Sequence, residues 1–149
     1  VVDTSALNIH QLRETVVGLV AGGARPTVVN MLSFGFRHGA PSSAEMLFDV
    51  RFLPNPHFEP RLRPRTGQDR EVAAYVLDNE RASALMERLA GLLMFLLPLY
   101  DGEGKPYLTV GIGCTGGRHR SVAVLDALAR ELRAAGRDVN VTHRDVEKV

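Results

Sequence analysis

Apolar residues recur along this chain with two different spacings, and together these predict alternating helices and strands. Apolar positions three or four residues apart, typical of one helix face, predict helices over residues 4–21, 69–77, 81–97 and 118–135. Apolar runs rich in β-branched residues predict strands over 27–36, 47–53 and 107–113, while 138–143 alternates like an edge strand. Strands separated by long helices predict an α/β sandwich with a mainly parallel sheet and helices on both faces.

Proline and glycine mark where these elements end. Three prolines between residues 54 and 60 exclude regular structure there, and Pro98 with Gly102 and Gly104 is expected to end the helix over 81–97. In parallel sheets ligands bind at the carboxyl ends of the strands. Three loops here leave predicted strand ends, and all carry polar or flexible residues.

The most informative loop runs from Gly113 to Ser121, where a strand ends, a glycine-rich turn follows and a helix begins. The first N–H groups of a helix have no partner within it, and the helix dipole adds about half a positive charge. Glycines let the backbone approach an anion, and hydroxyl and cationic side chains add donors. We therefore predict a phosphate or carboxylate site formed by Cys114, Thr115, Gly116, Gly117, Arg118, His119, Arg120 and Ser121.

The same loop also has the Cys-x5-Arg-Ser spacing of cysteine-dependent phosphatases. In that alternative Cys114 is the nucleophile and Arg120 clamps the phosphate, because a helix N-terminus and nearby arginines lower a thiol pKa. The reaction also needs a carboxylic acid near the leaving group, and Asp49 is the candidate. Binding without catalysis and phosphatase chemistry both stay open on this evidence.

The rest of a ligand needs polar groups from the neighbouring strand ends. Asp49 or Asn55 could accept sugar hydroxyls or an amine, whereas Arg61, Arg63 and Arg65 are interpreted as a solvated or partner-facing strip. Phe52 and Phe58 are interpreted as core or loop anchors rather than as platforms that stack on a sugar. The candidates for the sugar end are Ser33, Arg37, His38, Asp49, Arg51 and Asn55.

Composition narrows the class of protein. The chain has 149 residues, a length that fits one domain. Its net charge of +1 gives no overall electrostatic field that would attract nucleic acid. One cysteine and five scattered histidines indicate no metal site, and the lack of a Walker A motif indicates no cofactor loop of that kind. The sequence contains no run of about 18 apolar residues, so no membrane span is predicted. We expect a cytoplasmic domain.

Several motifs together resemble the C-terminal domain of the RapZ/YvcJ family over nearly the whole chain. They include Ser33-Phe-Gly-Phe36, Phe48-Asp-Val-Arg-Phe-Leu-Pro-Asn-Pro56, Ile112-Gly-Cys-Thr-Gly-Gly-Arg-His-Arg-Ser-Val122 and His143-Arg-Asp145. The resemblance implies a fold similar to a sugar-phosphate-binding half of phosphofructokinase. It also implies sensing of amino-sugar metabolites, glucosamine-6-phosphate in one branch and UDP-N-acetylglucosamine in another.

The resemblance also suggests the domain plan and the partners. Residues 1–149 are expected to form one domain, with 1–22 as a linking helix from an N-terminal P-loop domain and 23–149 as the ligand-binding core. The ATP or GTP binding of that P-loop domain is not carried over to this chain. One branch binds small RNA and presents it to an endoribonuclease, and for that role the last helix here offers Arg130, Arg133 and Arg137. RNA binding and a homo-oligomer both stay open.

Overall fold

The computed structural model describes residues 26–148 and shows a four-stranded, all-parallel sheet. The strands are β1 (Val28–Gly35), β2 (Met46–Asp49), β3 (Tyr107–Cys114) and β4 (Val139–His143), in the order β2-β3-β1-β4. The α-helices of the described range are α1 (Arg70–Leu77), α2 (Glu80–Glu103) and α3 (Arg120–Ala134). The predicted α/β class and parallel sheet are confirmed, and the helix predicted over 4–21 lies outside the described residues.

The core lies between one face of the sheet and α3. The strand register places Val29 beside Leu108 and Met31 beside Val110, and these side chains are buried in the same cluster as Val124 and Leu128 of α3. Burying side chains of this size contributes roughly 1.5–3 kcal/mol each. Helix α3 contacts β1, β3 and β4, and α1 and α2 pack against α3. Residues 26–148 do not themselves form the second helical layer expected on the other face.

Two predicted boundaries are wrong. Strand β2 ends at Asp49 rather than at residue 53, because the chain turns after Val50 and the N–H of Leu53 donates to the Val50 carbonyl at 3.2 Å. Helix α2 continues through Pro98 and ends at Gly104, which has the left-handed φ of 70°. A proline removes one helical hydrogen bond, here to Met94, and both residues are exposed, so solvent can satisfy the carbonyl.

The helices differ in how their N-termini are capped. Asp69 accepts hydrogen bonds from the N–H groups of Glu71 and Val72, and Asn79 Oδ1 accepts from the N–H of Ala82. Helix α3 begins after His119, whose side chain makes no capping bond. Among the α-helices of residues 26–148, α3 is the one whose N-terminus has no side-chain cap, which leaves its first N–H groups available to an anion.

Helix α2 is also long and apolar enough to cross a membrane by length and composition alone, with a mean hydropathy of 1.5 over an 18-residue window. Core helices of globular domains meet the same criterion. Leu89, Leu93 and Leu97 are buried in the core on one side of α2, whereas Phe95 and Leu99 are exposed on the other.

Candidate functional site

A cavity of about 740 Å³ opens at the carboxyl ends of the strands. The loops that follow all four strands contribute to it: Arg37 after β1, residues 55–64 after β2, residues 114–120 after β3 and Lys148 after β4. This is the edge of a parallel sheet at which ligands bind. A second, more open cavity of about 690 Å³ near Phe52 and Arg81 lies apart from the loop after β3.

Neighbouring backbone holds the loop after β3 from two sides. The N–H of Arg37 donates to the Thr115 carbonyl at 3.0 Å, and the N–H of Gly67 donates to the Arg118 carbonyl at 2.9 Å. In the described part of the chain, no backbone carbonyl accepts a hydrogen bond from the N–H groups of Gly116, Gly117 or Arg118. The carbonyls of Thr115 and Arg118 are thus engaged, while the N–H groups of Gly116 and Arg118, which line the cavity, stay available to an anion.

Arg120 brings a positive charge to the floor of the cavity. Its side chain is 5% exposed and donates to the carbonyls of Arg51 and Leu53 and to the Thr115 hydroxyl. All three acceptors are neutral, and burial lowers the pKa of the guanidinium from its ordinary value. A buried charge without a directly bonded counter-ion is costly, so an anion in this cavity would relieve a real electrostatic deficit.

The other basic residues of the loop are also bonded to neutral oxygens. Arg118 donates to the carbonyls of Pro64 and Val146, and His119 Nε2 lies 3.0 Å from the Arg63 carbonyl. Burial lowers the pKa of His119, so the imidazole is neutral near pH 7 and donates from Nε2 to that carbonyl. His119 therefore supports the loop, whereas the charge of Arg118 remains available.

Cys114 and Ser121 face each other below the loop. The thiol donates to the Ser121 hydroxyl at 3.1 Å, and both side chains are buried. Cys114 contributes to the cavity lining but Ser121 does not, and Gly117 is likewise outside the lining. The Ser121 hydroxyl predicted to face an anion is instead engaged with the thiol, because it points into the core from the first turn of α3.

A match to a known protein family covers the strands and helices that form this site. The model of the RapZ C-terminal domain matches residues 27–147, which include every strand and helix described above. This chain belongs to the RapZ C-terminal domain family. The resemblance inferred from the motifs is confirmed.

Curated relatives extend the match to almost the whole chain. Proteins named "Nucleotide-binding protein" from Trichlorobacter lovleyi, Anaeromyxobacter dehalogenans strain 2CP-C and Geobacter metallireducens are 49%, 53% and 51% identical to it. Each alignment covers 99% of this chain but only 53%, 51% and 53% of the relative, respectively. The chain therefore spans about half the length of these relatives.

The sugar-end residues predicted for this RapZ-type domain are only partly brought together. Arg37 and Asn55 line the cavity, but Ser33, His38, Asp49 and Arg51 do not. Ser33 is fully buried and bonded to His143 at 2.6 Å, and the Asp49 carboxylate is occupied by Arg51. His38 lies in the short 3-10 helix Phe36–His38 beyond β1. Ser33 and Asp49 are thus engaged with other side chains of the fold rather than with the cavity.

The structure adds residues that sequence reasoning missed or assigned elsewhere. His57 and Phe58 lie in the proline-rich segment after β2, with ring centroids 5.8 Å apart, and Phe58 is 75% exposed in the cavity wall. Arg63 lines the cavity rather than joining a solvated strip. Lys148 reaches it from the end of the chain. The three prolines between residues 54 and 60 are the sequence feature that could have indicated His57 and Phe58, because prolines restrict the backbone of the segment that forms this wall of the cavity.

Other features bear on the remaining expectations. Among residues 26–148 no group of three or more His, Cys, Asp or Glu side chains is arranged to hold a metal ion. Two of the three arginines considered for RNA are engaged locally, since Arg137 pairs with Asp101 at 2.8 Å and Arg133 donates to the Val139 carbonyl.

Proposed function

We propose that this chain is a regulatory, ligand-sensing domain that binds a phosphorylated or nucleotide-linked amino sugar at the loop joining β3 to α3. The observation that carries the proposal is the buried Arg120 guanidinium, bonded only to neutral oxygens beside unsatisfied backbone N–H groups. A phosphate group supplies the negative charge and several acceptor oxygens that this arrangement lacks.

The lining of the cavity supports a phosphate-bearing ligand larger than phosphate itself. Arg37, Arg63 and Arg118 line it together with Arg120, and none of the lining residues in the described part of the chain is acidic. Its volume of about 740 Å³ lies in the usual range for small-molecule sites. Asn55 and His57 offer an amide and an imidazole for sugar hydroxyls, so an amine would be recognised by neutral acceptors rather than by a carboxylate.

The choice of candidate ligands combines this chemistry with the family. The resemblance implies glucosamine-6-phosphate or UDP-N-acetylglucosamine, and relatives about twice as long are named nucleotide-binding proteins. The exposed Phe58 ring gives a nucleotide-linked sugar a surface for stacking, whereas the sugar phosphate needs only the polar part of the cavity. Both ligands share the phosphate chemistry at the loop, and titration with each distinguishes them.

The test is calorimetric titration of glucosamine-6-phosphate, UDP-N-acetylglucosamine and inorganic phosphate into wild type and matched arginine variants. Arg37→Ala should weaken phosphosugar binding by at least about fivefold, because a cavity cation is lost. Arg88→Ala is the control, since Arg88 is exposed on α2 and bonds only to the Ala84 carbonyl. Equal affinity in wild type and the Arg37 variant would contradict the proposal.

Arg120→Ala addresses the carrying observation directly. We expect a loss of more than about 1.5 kcal/mol in binding free energy, or more than tenfold in Kd, because a charge-assisted contact disappears. A melting curve on each variant separates loss of binding from loss of folding, since Arg120 also ties the chain after β2 to α3.

The phosphatase alternative keeps one observation in its favour, the position of Cys114 in the lining beside Arg120. Among residues 26–148 no proton donor for the leaving group lines the cavity, since its lining there includes no Asp or Glu and Asp49 is paired with Arg51. A generic phosphatase assay on wild type and Cys114→Ser tests it, and activity lost in the variant would favour catalysis.

Small-RNA binding and an endoribonuclease partner rest on the family resemblance. A gel shift at about 0.15 M salt tests binding of the RNA.

A further inference from the structure

Lys148 occupies a position between the cavity and the end of the chain. Its side chain is half exposed and contributes to the cavity lining, yet its ammonium lies 2.8 Å from the buried carboxylate of Asp145. Arg118 of the loop donates to the carbonyl of Val146, two residues earlier. The segment that carries Lys148 is therefore attached to the same loop that forms the proposed phosphate site.

We propose that Lys148 is a phosphate-binding residue that exchanges partners, leaving Asp145 for the phosphate when a ligand binds. The inference rests on the proposed function, because it assigns a further ligand-binding residue to the same site. The exchange also removes one contact that holds residues 145–148 in their turn.

Asp145 can release Lys148 without losing its own neutralisation. Its carboxylate also accepts hydrogen bonds from the Gly35 N–H at 2.8 Å and from Arg144 at 2.8 and 3.0 Å. Arg144 supplies the balancing charge, so departure of Lys148 leaves no unpaired buried carboxylate. The ion pair itself is half exposed, a situation in which solvent screens most of the attraction.

The cavity favours the opposite partner once a phosphate is present. Arg37, Arg63 and Arg118 line it together with Arg120, and the lining formed by residues 26–148 contains no Asp or Glu. Without added negative charge these cations repel a fifth one, which explains why Lys148 turns to Asp145. A phosphate monoester carries close to two negative charges near pH 7, which reverses the balance and attracts the ammonium.

Lysine content makes the exchange directly observable. The chain contains only Lys105 and Lys148, and Lys105 pairs with Glu45 and does not contribute to the cavity lining. Reductive methylation with ¹³C-formaldehyde labels both side chains and keeps their charge, and Lys105→Arg and Lys148→Arg assign the two NMR signals. With glucosamine-6-phosphate the Lys148 signal should move in a saturable way, while that of Lys105 stays fixed. Unphosphorylated glucosamine should move neither.

Affinity provides the second readout. Lys148→Gln should weaken binding of glucosamine-6-phosphate by about tenfold, Lys148→Arg should restore most of it, and Lys105→Gln should leave it unchanged. A Lys148 signal that stays fixed while Arg37→Ala still weakens binding would overturn the exchange but leave the proposed function intact. Undiminished affinity in Lys148→Gln would do the same. Absence of binding in wild type would overturn both.

Discussion

The buried carboxylate of Asp145 accepts a hydrogen bond from the backbone N–H of Gly35 at 2.8 Å. This contact joins the turn after β4 to the last residue of β1, two strands that are neighbours in the sheet. A Cβ placed on Gly117 would lie 2.8 Å from the Cβ of Asp145, so the same side chain also supports the loop after β3. The Asp145 side chain therefore contacts the end of β1 through its carboxylate and the loop after β3 through its Cβ, which links three segments at the candidate site.

Asp145→Asn should destabilise the fold by about 2 kcal/mol, because Arg144 then loses a buried anionic partner. Chemical denaturation of wild type and variant at pH 7 measures this. Glu147→Gln, which changes an exposed neighbour by the same chemistry, is the control and should have little effect. Equal stabilities for Asp145→Asn and wild type would show that the buried pair contributes nothing net.

The same carboxylate predicts a pH dependence. Burial alone raises the pKa of Asp145, but hydrogen bonds from Arg144, Gly35 and Lys148 outweigh it and hold the pKa well below its usual range. Because the folded-state pKa lies below the unfolded value of about 3.9, the stabilisation is complete above that value and declines as pH falls below it. The gap between wild type and Asp145→Asn should begin to narrow below about pH 4 and keep narrowing as the pH falls further in denaturation measurements.

Two adjacent glycines of the loop should respond differently to alanine. Gly117 has a φ of 79°, and an added Cβ would lie 2.5 Å from the backbone nitrogen of Gly35, so Gly117→Ala should cost about 2 kcal/mol or more. At Gly116 the Cβ meets only the Arg37 side chain at 3.7 Å, so stability should change by less than about 0.5 kcal/mol while phosphosugar affinity falls. Gly136→Ala has open space and isolates the backbone strain alone. Equal melting temperatures for Gly116→Ala and Gly117→Ala would contradict the close packing of Gly117 against the Gly35 backbone.

Ser33 should prove structural, because its hydroxyl lies 2.6 Å from His143 Nδ1, while His143 Nε2 lies 2.8 Å from Asp126. Ser33→Ala leaves a buried imidazole nitrogen unpaired and should cost about 1–2 kcal/mol of stability. Affinity for glucosamine-6-phosphate should stay within about twofold, since the side chain is outside the cavity lining. Ser83→Ala, on the exposed side of α2, is the matched control. A large loss of affinity in a fully folded Ser33→Ala protein would return this residue to the site.

Sequence pattern predicted the elements that long-range packing does not alter. Strands β1 and β3 and helix α3 appear near their predicted positions because apolar period, glycine turns and burial agree there. Strand β2 is shorter than predicted because the apolar residues Val50 and Leu53 are buried in a turn, and hydrophobicity alone does not distinguish a strand from a buried turn.

The candidate site divides along similar lines. The sequence predicts an anion site at the loop after β3 because glycines, cations and a helix start lie within nine residues. It does not predict that Lys148 and Arg63 line the cavity, because isolated basic residues outside a motif carry no local signal. They reach the cavity only through the order of the strands. Asn55 is predicted from its place after β2, whereas no motif in the sequence indicates its neighbour His57, which also lines the cavity.

Asp49 is the residue on which the sequence and the structure lead to different expectations for ligand selectivity. Its place in the apolar strand suggested a carboxylate for the amine of an amino sugar. In the structure Oδ1 accepts from the Arg51 N–H at 2.9 Å and Nε at 3.0 Å, and Oδ2 accepts from Arg51 Nη2 at 2.7 Å. These hydrogen bonds from Arg51 lower the pKa of Asp49, and the pair lies outside the cavity lining.

Asp49→Asn should therefore leave the ratio of affinities for glucosamine-6-phosphate and inorganic phosphate within about twofold of wild type. The fold should tolerate the change with a loss below about 1 kcal/mol, because the ion pair is exposed and screened. Asn55→Ala is the comparison, since Asn55 lines the cavity and should lower the ratio by weakening contacts to the sugar. Calorimetric titration of both ligands into each folded variant measures the ratios. If the ratio falls at least about fivefold in Asp49→Asn and is unchanged in Asn55→Ala, the sugar is recognised by Asp49 at the end of β2 and not by the segment that carries Asn55.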